Sequence, residues 1–249
     1  MKILIIIPTY NEKDNIPILL GRLLNLRPDL EMLVVDDNSP DGTGKQVKKF
    51  TAENLRVHLL ERAKKQGIGP AYLAGFKWGL ERGYEILIEM DADLSHRPRY
   101  IPKFLELLKT HDLVAGSRWM PGGGIANWPF SRVLLSRIAN IYSKWILGVR
   151  IDDLTGGYTA YRREVLEGID LNDVRSDGYC FQIEMKYRAF KRGFKIVETP
   201  IQFTDRKAGN SKISRRIVYE ALLKVWYLRY KGMTGGFKKG APRYSLQPR

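Results

Sequence analysis

The chain predicts an α/β fold, a mostly parallel sheet with helices on both faces. Short apolar runs alternate with amphipathic stretches from Lys2 to Ser117, which is the pattern of βαβ units. The apolar runs are nearly continuous, as strands covered on both faces must be. Three of them end in acidic or polar clusters, and open α/β sheets hold ligands at the carboxyl ends of their strands.

Taken in order, residues 2–7 are expected as the first strand, stopped by Pro8. A polar loop to Asn15 leads into a helix over 16–26, where apolar residues recur at helical spacing. A second strand covers 31–35. Asp41-Gly42-Thr43 then turns the chain into a helix reaching Glu53. Strand 55–60, a glycine-punctuated loop, helix 71–81 and strand 84–90 follow, then helix 98–109 and strand 112–117. Beyond Arg118 the rhythm changes. A loop containing Gly122-Gly123-Gly124 precedes a long aromatic helix over 130–149 and a turn at Asp152-Asp153-Leu154-Thr155-Gly156-Gly157. A strand over 158–161, a helix over 179–192, short strands at 194–198 and 201–204, and a last helix over 213–230 complete the expected order. The expected division is a catalytic domain over 1–231, with a nucleotide-binding half (2–117) and an acceptor half (118–231), and a basic, disordered tail over 232–249.

Cys180 is the single cysteine, which excludes an internal disulfide. It reads as packing rather than as a nucleophile. No stretch approaches the ~18 apolar residues of a membrane span, and the short N-terminal apolar run reads as a strand rather than a leader. The net charge is +15, and residues 206–249 hold twelve Lys/Arg against one acid, Glu220. Such a segment expects an anionic partner. Nucleic acid is disfavoured, because no nucleic-acid motif is present and strand-end carboxylates repel phosphates.

Ile86-Leu87-Ile88-Glu89-Met90-Asp91-Ala92-Asp93 is the sharpest chemical signal. Two carboxylates at the end of a buried strand suit Mg²⁺ or Mn²⁺, hard ions that also take water and phosphate oxygens. Asp36-Asp37 and Pro8-Thr9-Tyr10-Asn11-Glu12 close two other strands. There, carboxylates are able to accept hydrogen bonds from a nucleotide's base or ribose, and Tyr10 is able to stack on a base. No glycine-rich phosphate loop follows the first strand, and His58, His96 and His111 have no metal-ligand spacing. Arg118, Arg132, Arg206, Lys207 and Lys212, with Ser136, suggest a site that handles more than one phosphate. Helices 130–149 and 213–230 mix apolar stripes, aromatics and cations, a composition suited to the plane of a membrane interface.

Together, Pro8–Glu12, Val35-Asp-Asp-Asn-Ser-Pro-Asp-Gly-Thr43, Met90-Asp-Ala-Asp-Leu-Ser-His96, Gly116-Ser-Arg118, Asn127-Trp-Pro-Phe130 and Asp205-Arg206…Ser211-Lys212 resemble the family-2 glycosyltransferases of the GT-A fold. Within that family, they resemble the dolichol-phosphate or polyprenol-phosphate mannose synthases. The resemblance implies a Rossmann-like GT-A domain with C-terminal amphipathic interfacial helices, using GDP-mannose and a dolichyl or polyprenyl phosphate. Pro8, Tyr10, Glu12, Val35 and Asp37 would hold the guanosine. Asp91, Ala92 and Asp93 would meet the ribose, diphosphate and metal. Arg118, Arg206 and Lys212 would contact the donor or its phosphates, and Arg132 and Ser136 would receive the lipid phosphate. Ser95 stands where some relatives have a metal-binding glutamine. Some relatives also carry C-terminal membrane helices. Here the resemblance implies a peripheral form on the cytoplasmic face, held by its own surface or by a membrane partner subunit. The competing expectation is a UDP-glucose or UDP-N-acetylglucosamine donor with a lipid phosphate or a sugar hydroxyl as acceptor; for the hydroxyl, Asp177 or Glu184 would serve as base.

Overall fold

The computed structural model describes residues 1–204 and 215–237, with the backbone alone for 215–221. Strand alternation gives the sheet two apolar faces. In β1 (Ile3–Thr9), Ile3, Ile5 and Ile7 enter one core. There they meet Ile16, Leu19, Leu20 and Leu23, the inward stripe of α1 (Asn15–Leu24). Leu4 and Ile6 enter the other core, under α3 (Ile68–Glu81). A Cβ added at Gly75 would lie 2.4 Å from the Ile6 side chain, and one at Gly79 2.7 Å from Leu87. These glycines let α3 lie close against the sheet.

Parallel to β1 run β2 (Leu30–Asp36) and β4 (Ile86–Glu89), and β3 (Val57–Glu61) runs parallel to β2. The connecting helix α2 (Thr43–Glu53) starts after Gly42, where Asp41 Oδ1 accepts from the Thr43 amide at 2.9 Å and its hydroxyl at 2.6 Å. A 3₁₀ turn (Pro98–Tyr100) and α4 (Ile101–Leu107) lead to β5 (Leu113–Ser117), then to β6 (Gly124–Ala126) and α5 (Phe130–Leu147). The rest comprises β7 (Thr159–Arg162), α6 (Arg163–Gly168), α7 (Gly178–Lys191), β8 (Ile196–Pro200), β9 (Gln202–Thr204) and α8 (Arg215–Met233). The large sheet has the order β3-β2-β1-β4-β7-β5-β8, and β6 and β9 form a separate pair.

The sheet is mostly parallel, as expected, and β7 runs antiparallel between β4 and β5, a direction set by the partners it meets. Several element bounds need correction. Helix α3 starts at Ile68, with Pro70 in its first turn rather than in the preceding loop. The glycine-rich loop contains β6, and α6 was read as no element. The described chain stays ordered past residue 232, the expected start of the tail. α8 runs to Met233, and Phe237 packs edge-on against Tyr187 while Arg192 donates to its carbonyl at 3.0 Å. Residues 238–249 lie outside the described residues.

Candidate active site

Between β1 and β4 the direction of strand succession reverses. Loops leaving neighbouring strands part at such a switch point, and the crevice opens at the strands' carboxyl ends. The stretch from Pro8 to Glu12, Asp37, and Asp91 to Asp93 all lie there. Two cavities meet at this point and share Ile68, Asp91 and Asp93 as a common wall.

The first cavity, about 210 Å³, is lined by Pro8, Tyr10, Glu12, Asp37, Lys65 and Ala92 among others. Asp36 is a latch, not a ligand group. It is buried and accepts from the Thr9 hydroxyl at 2.9 Å and the Ser39 hydroxyl at 2.6 Å. Asp37 is held by Arg62 at 2.7 Å and by the Gln66 amide at 3.0 Å. Lys65 Nζ stands 3.7 Å from the centre of the Tyr10 ring, so a cation already covers that ring.

The second cavity, about 190 Å³, is lined by Arg118, Trp128, Arg132, Thr155, Gly156, Gly157, Tyr179, Gln182 and Phe203 among others. Arg132 lies 3.9 Å from the Trp128 ring centre, and Arg118 5.6 Å from it. Arg118 is buried, and Asp153 accepts from its Nε and Nη2, each at 2.7 Å. Burial raises the Asp153 pKa, but Arg118 outweighs it and holds the carboxyl below its usual range. The loop after Asp153 is pinned by Lys186, whose buried ammonium donates to the carbonyls of Asp153, Leu154 and Gly156. Asn140 on α5 accepts from the amides of Leu154 and Thr155.

At the shared wall, the Tyr72 hydroxyl donates to Asp91 Oδ1 at 3.1 Å. Burial, reinforced by Asp91, pushes the Tyr72 pKa well up, so it remains a donor. The Ser95 amide and hydroxyl both donate to Asp93 Oδ1, at 3.1 and 2.5 Å. Between them Leu94 adopts φ 64°, a left-handed conformation that costs a β-carbon-bearing residue about 1 kcal/mol or more and gathers at functional sites. Glu89, two residues before Asp91, is fully buried, and burial pushes its pKa to about 8. At neutral pH it is mostly uncharged and adds little repulsion beside Asp91.

The carboxylates fit a divalent cation. Asp91 and Asp93 offer hard oxygens at one strand end, and Ser95 and Tyr72 orient them. Among the described residues no group of three or more His, Cys, Asp or Glu could hold a metal. A bound ion would therefore draw its other oxygens from a diphosphate and water, as Mg²⁺ commonly does.

Pro8, Tyr10, Glu12, Asp37, Asp91, Ala92, Asp93, Arg118 and Arg132 thus lie around the two cavities. Val35 does not: its side chain is fully buried in the α3-side core, so only its backbone is left for a ligand. Ser136 on α5 lines neither cavity, and its carbonyl accepts from Asn140. Ser95 spends its hydroxyl on Asp93 and is a poor candidate metal ligand. Arg206, Lys207 and Lys212 lie outside the described residues. Of the two candidate bases, Glu184 is buried against Arg188 at 2.6 Å and Ser176, whereas Asp177 is exposed, with Oδ1 accepting from the Gly69 amide at 2.8 Å. Sequence reasoning passed over Lys65, His96, Gln182, Asp153 and Lys186. The signal for Asp153 was the pair of acids and the pair of glycines in one turn, 152–157, and nothing in the sequence marked Lys186.

A sheet of this order, with its carboxylate pair at the switch point and a second cavity beside it, is the GT-A fold of glycosyltransferases. Residues 4–170 match the family model Glycosyl transferase family 2, and the chain belongs to that family. It is 52% identical over 230 residues to a polyprenol monophosphomannose synthase of Mycolicibacterium smegmatis, covering 91% of this chain and 87% of that one. An undecaprenyl-phosphate mannosyltransferase of Micrococcus luteus is 49% identical over 237 residues, covering 94% and 98%. Among solved structures, glucosyl-3-phosphoglycerate synthase from Mycobacterium tuberculosis, in complex with Mn²⁺, uridine diphosphate and phosphoglyceric acid, gives a TM-score of 0.66 at 17% identity, covering 100% of this chain and 89% of that one. The latter likeness bears on the fold alone.

Proposed function

We propose that the protein transfers mannose from GDP-mannose to a polyprenyl or dolichyl monophosphate, with inversion at the anomeric carbon. The observation that carries the reading is the pair of cavities meeting at Asp91 and Asp93. One has carboxylates and an aromatic suited to a nucleoside, and the other has two arginines suited to a phosphate. The names of the relatives at 49% and 52% identity support the lipid-phosphate acceptor and the mannosyl group.

In this reaction an oxygen of the lipid phosphate forms a bond to the anomeric carbon. The bond from that carbon to the diphosphate breaks, and GDP departs with the electron pair. A phosphate monoester is already anionic at neutral pH, so it needs little help from a general base; the pairing of Glu184 with Arg188 fits this. Asp91 and Asp93 would hold Mg²⁺ or Mn²⁺, which when bound neutralises charge on the leaving diphosphate. Arg132, and Arg118 held in place by Asp153, bring the second anion close. Arg206 and Lys212 are assigned to the donor phosphates by resemblance. Arg132→Ala raises KM for the lipid phosphate about tenfold to a hundredfold, the worth of a charged hydrogen bond, while GDP affinity stays as in the wild type. Lipid-titrated kinetics with calorimetric GDP binding checks both.

A lipid acceptor calls for a membrane surface. No helix among the described residues is long and apolar enough to cross one. α5 instead exposes Phe130, Leu134, Ile138, Ile141 and Trp145, and α8 exposes Leu223, Trp226, Tyr227, Tyr230 and Met233. The two helices pack together, with Tyr142 donating to the Leu222 carbonyl and Arg229 to that of Leu147. We assign these helices to peripheral binding at the cytoplasmic face, alone or beside a membrane partner subunit. Trp145→Ser and Trp226→Ser each weaken binding to anionic vesicles about tenfold, measured by flotation; unchanged flotation of the double variant would remove the assignment.

The deciding assay incubates the protein with Mg²⁺ or Mn²⁺, a short polyprenyl phosphate and labelled GDP-mannose, UDP-glucose or UDP-N-acetylglucosamine in parallel, followed by organic extraction. Label from GDP-mannose alone, lost with EDTA, is the expected result. Label from a UDP-sugar overturns the donor and leaves the acceptor.

A further inference from the structure

His96 is buried in the wall of the second cavity, beside Asp91, and takes no part in the steps above. Its Nδ1 lies 3.0 Å from the Asp91 amide and accepts its hydrogen. That bond occupies the Nδ1 lone pair and leaves the neutral ring's proton on Nε2. The Nε2 atom stands 3.7 Å from Asp91 Oδ2. In this tautomer the ring has no lone pair left for a metal. The imidazole stacks on Tyr158, with centroids 4.7 Å apart and planes at 13°, and meets Phe203 edge-on at 5.7 Å. Tyr72 meanwhile donates to Asp91 Oδ1. Asp91 is therefore held at its backbone and at one carboxylate oxygen, with an N–H beside the other.

We propose that His96 is a positioning residue for the metal-binding carboxylate. Its Nδ1 fixes the Asp91 backbone, and its Nε2–H orients Asp91 Oδ2 toward a bound divalent cation. The aromatic pair Tyr158 and Phe203 keeps the ring plane from turning. This inference rests on Asp91 and Asp93 binding a divalent ion with the nucleotide.

Two variants separate the two contacts. His96→Phe keeps a flat ring against Tyr158 and loses both the backbone hydrogen bond and the N–H beside Oδ2. His96→Asn places an amide oxygen where Nδ1 stood, keeps the backbone bond and loses the contact at Oδ2. The readout is Mn²⁺ affinity in the presence of GDP, followed by loss of the free-Mn²⁺ paramagnetic resonance signal, with metal-free GDP binding measured by calorimetry. Orienting groups behind metal ligands are worth about 10- to 100-fold in metal affinity. His96→Phe is expected to weaken Mn²⁺ binding by that range, His96→Asn by less, and metal-free GDP affinity stays unchanged. Wild-type Mn²⁺ affinity in His96→Asn, together with wild-type affinity in a folded His96→Phe, overturns the inference. If His96→Phe fails to fold, wild-type affinity in His96→Asn alone overturns the role of Nε2. Wild-type protein that binds no Mn²⁺ with GDP overturns the metal assignment, and this inference with it.

Discussion

Asp93→Ala lowers the rate of sugar transfer by about a thousandfold or more. A metal ion's stabilisation of a leaving diphosphate is worth several kcal/mol, and about 1.4 kcal/mol is tenfold in rate. The substitution removes one of two carboxylates at the shared wall of the cavities. It also leaves the Ser95 hydroxyl without the oxygen it donates to. Stability changes little, because the side chain stands at the end of a strand and outside both cores. The measurement is kcat at saturating donor and lipid, with a thermal melt alongside. A variant that keeps near-wild-type turnover would show that Asp93 holds no metal needed for the reaction.

Asp153→Ala has its large effect on stability, with a loss of about 3–5 kcal/mol expected when one partner of a buried ion pair is removed. Asp153 has no exposed surface and accepts from the Arg118 amide, Nε and Nη2 and from the Gly156 amide. Without it, the Arg118 guanidinium stays buried with no counter-charge against it, next to the ammonium of Lys186. Chemical denaturation measures the loss. The double variant Arg118→Met/Asp153→Leu should recover much of it, because the penalty comes from the stranded charge. It should not recover transfer activity if Arg118 receives a phosphate. A single variant within 1 kcal/mol of wild type would mean that water reaches Arg118.

The outer architecture was legible because local physics governs it. Continuous apolar runs such as Ile3–Ile7 have no stable place except a sheet covered on both faces, and Asp41-Gly42-Thr43 starts a helix whatever surrounds it. Asp91 and Asp93 were legible because acids closing a buried run are conspicuous. Val35 was less so: periodicity places it on a strand, but only the packing of α3 shows that its side chain faces the core. The turn at 152–157 was not legible as a site element. Its shape is imposed by Lys186 and Asn140, side chains from helices distant in sequence. β7 was found as a strand but not in its direction, since both neighbours must be in place before its orientation is fixed.

The position of β7 bears on how the chain reaches its native state. A chain emerging residue by residue can pair β1, β2, β3 and β4 early, since each finds a neighbour already made. It cannot join β5 to β4, because the strand that separates them is still about forty residues away in sequence. Until Arg162 has been made, the carboxylate-bearing edge of β4 has no partner on that side, and unpartnered strand edges invite pairing with other chains. The two halves therefore share one sheet, with β7 of the acceptor half seated between β4 and β5. The first cavity is walled by residues up to Asp93 alone, whereas the second takes walls from both halves, so the second is complete only after the acceptor half has been inserted into the sheet.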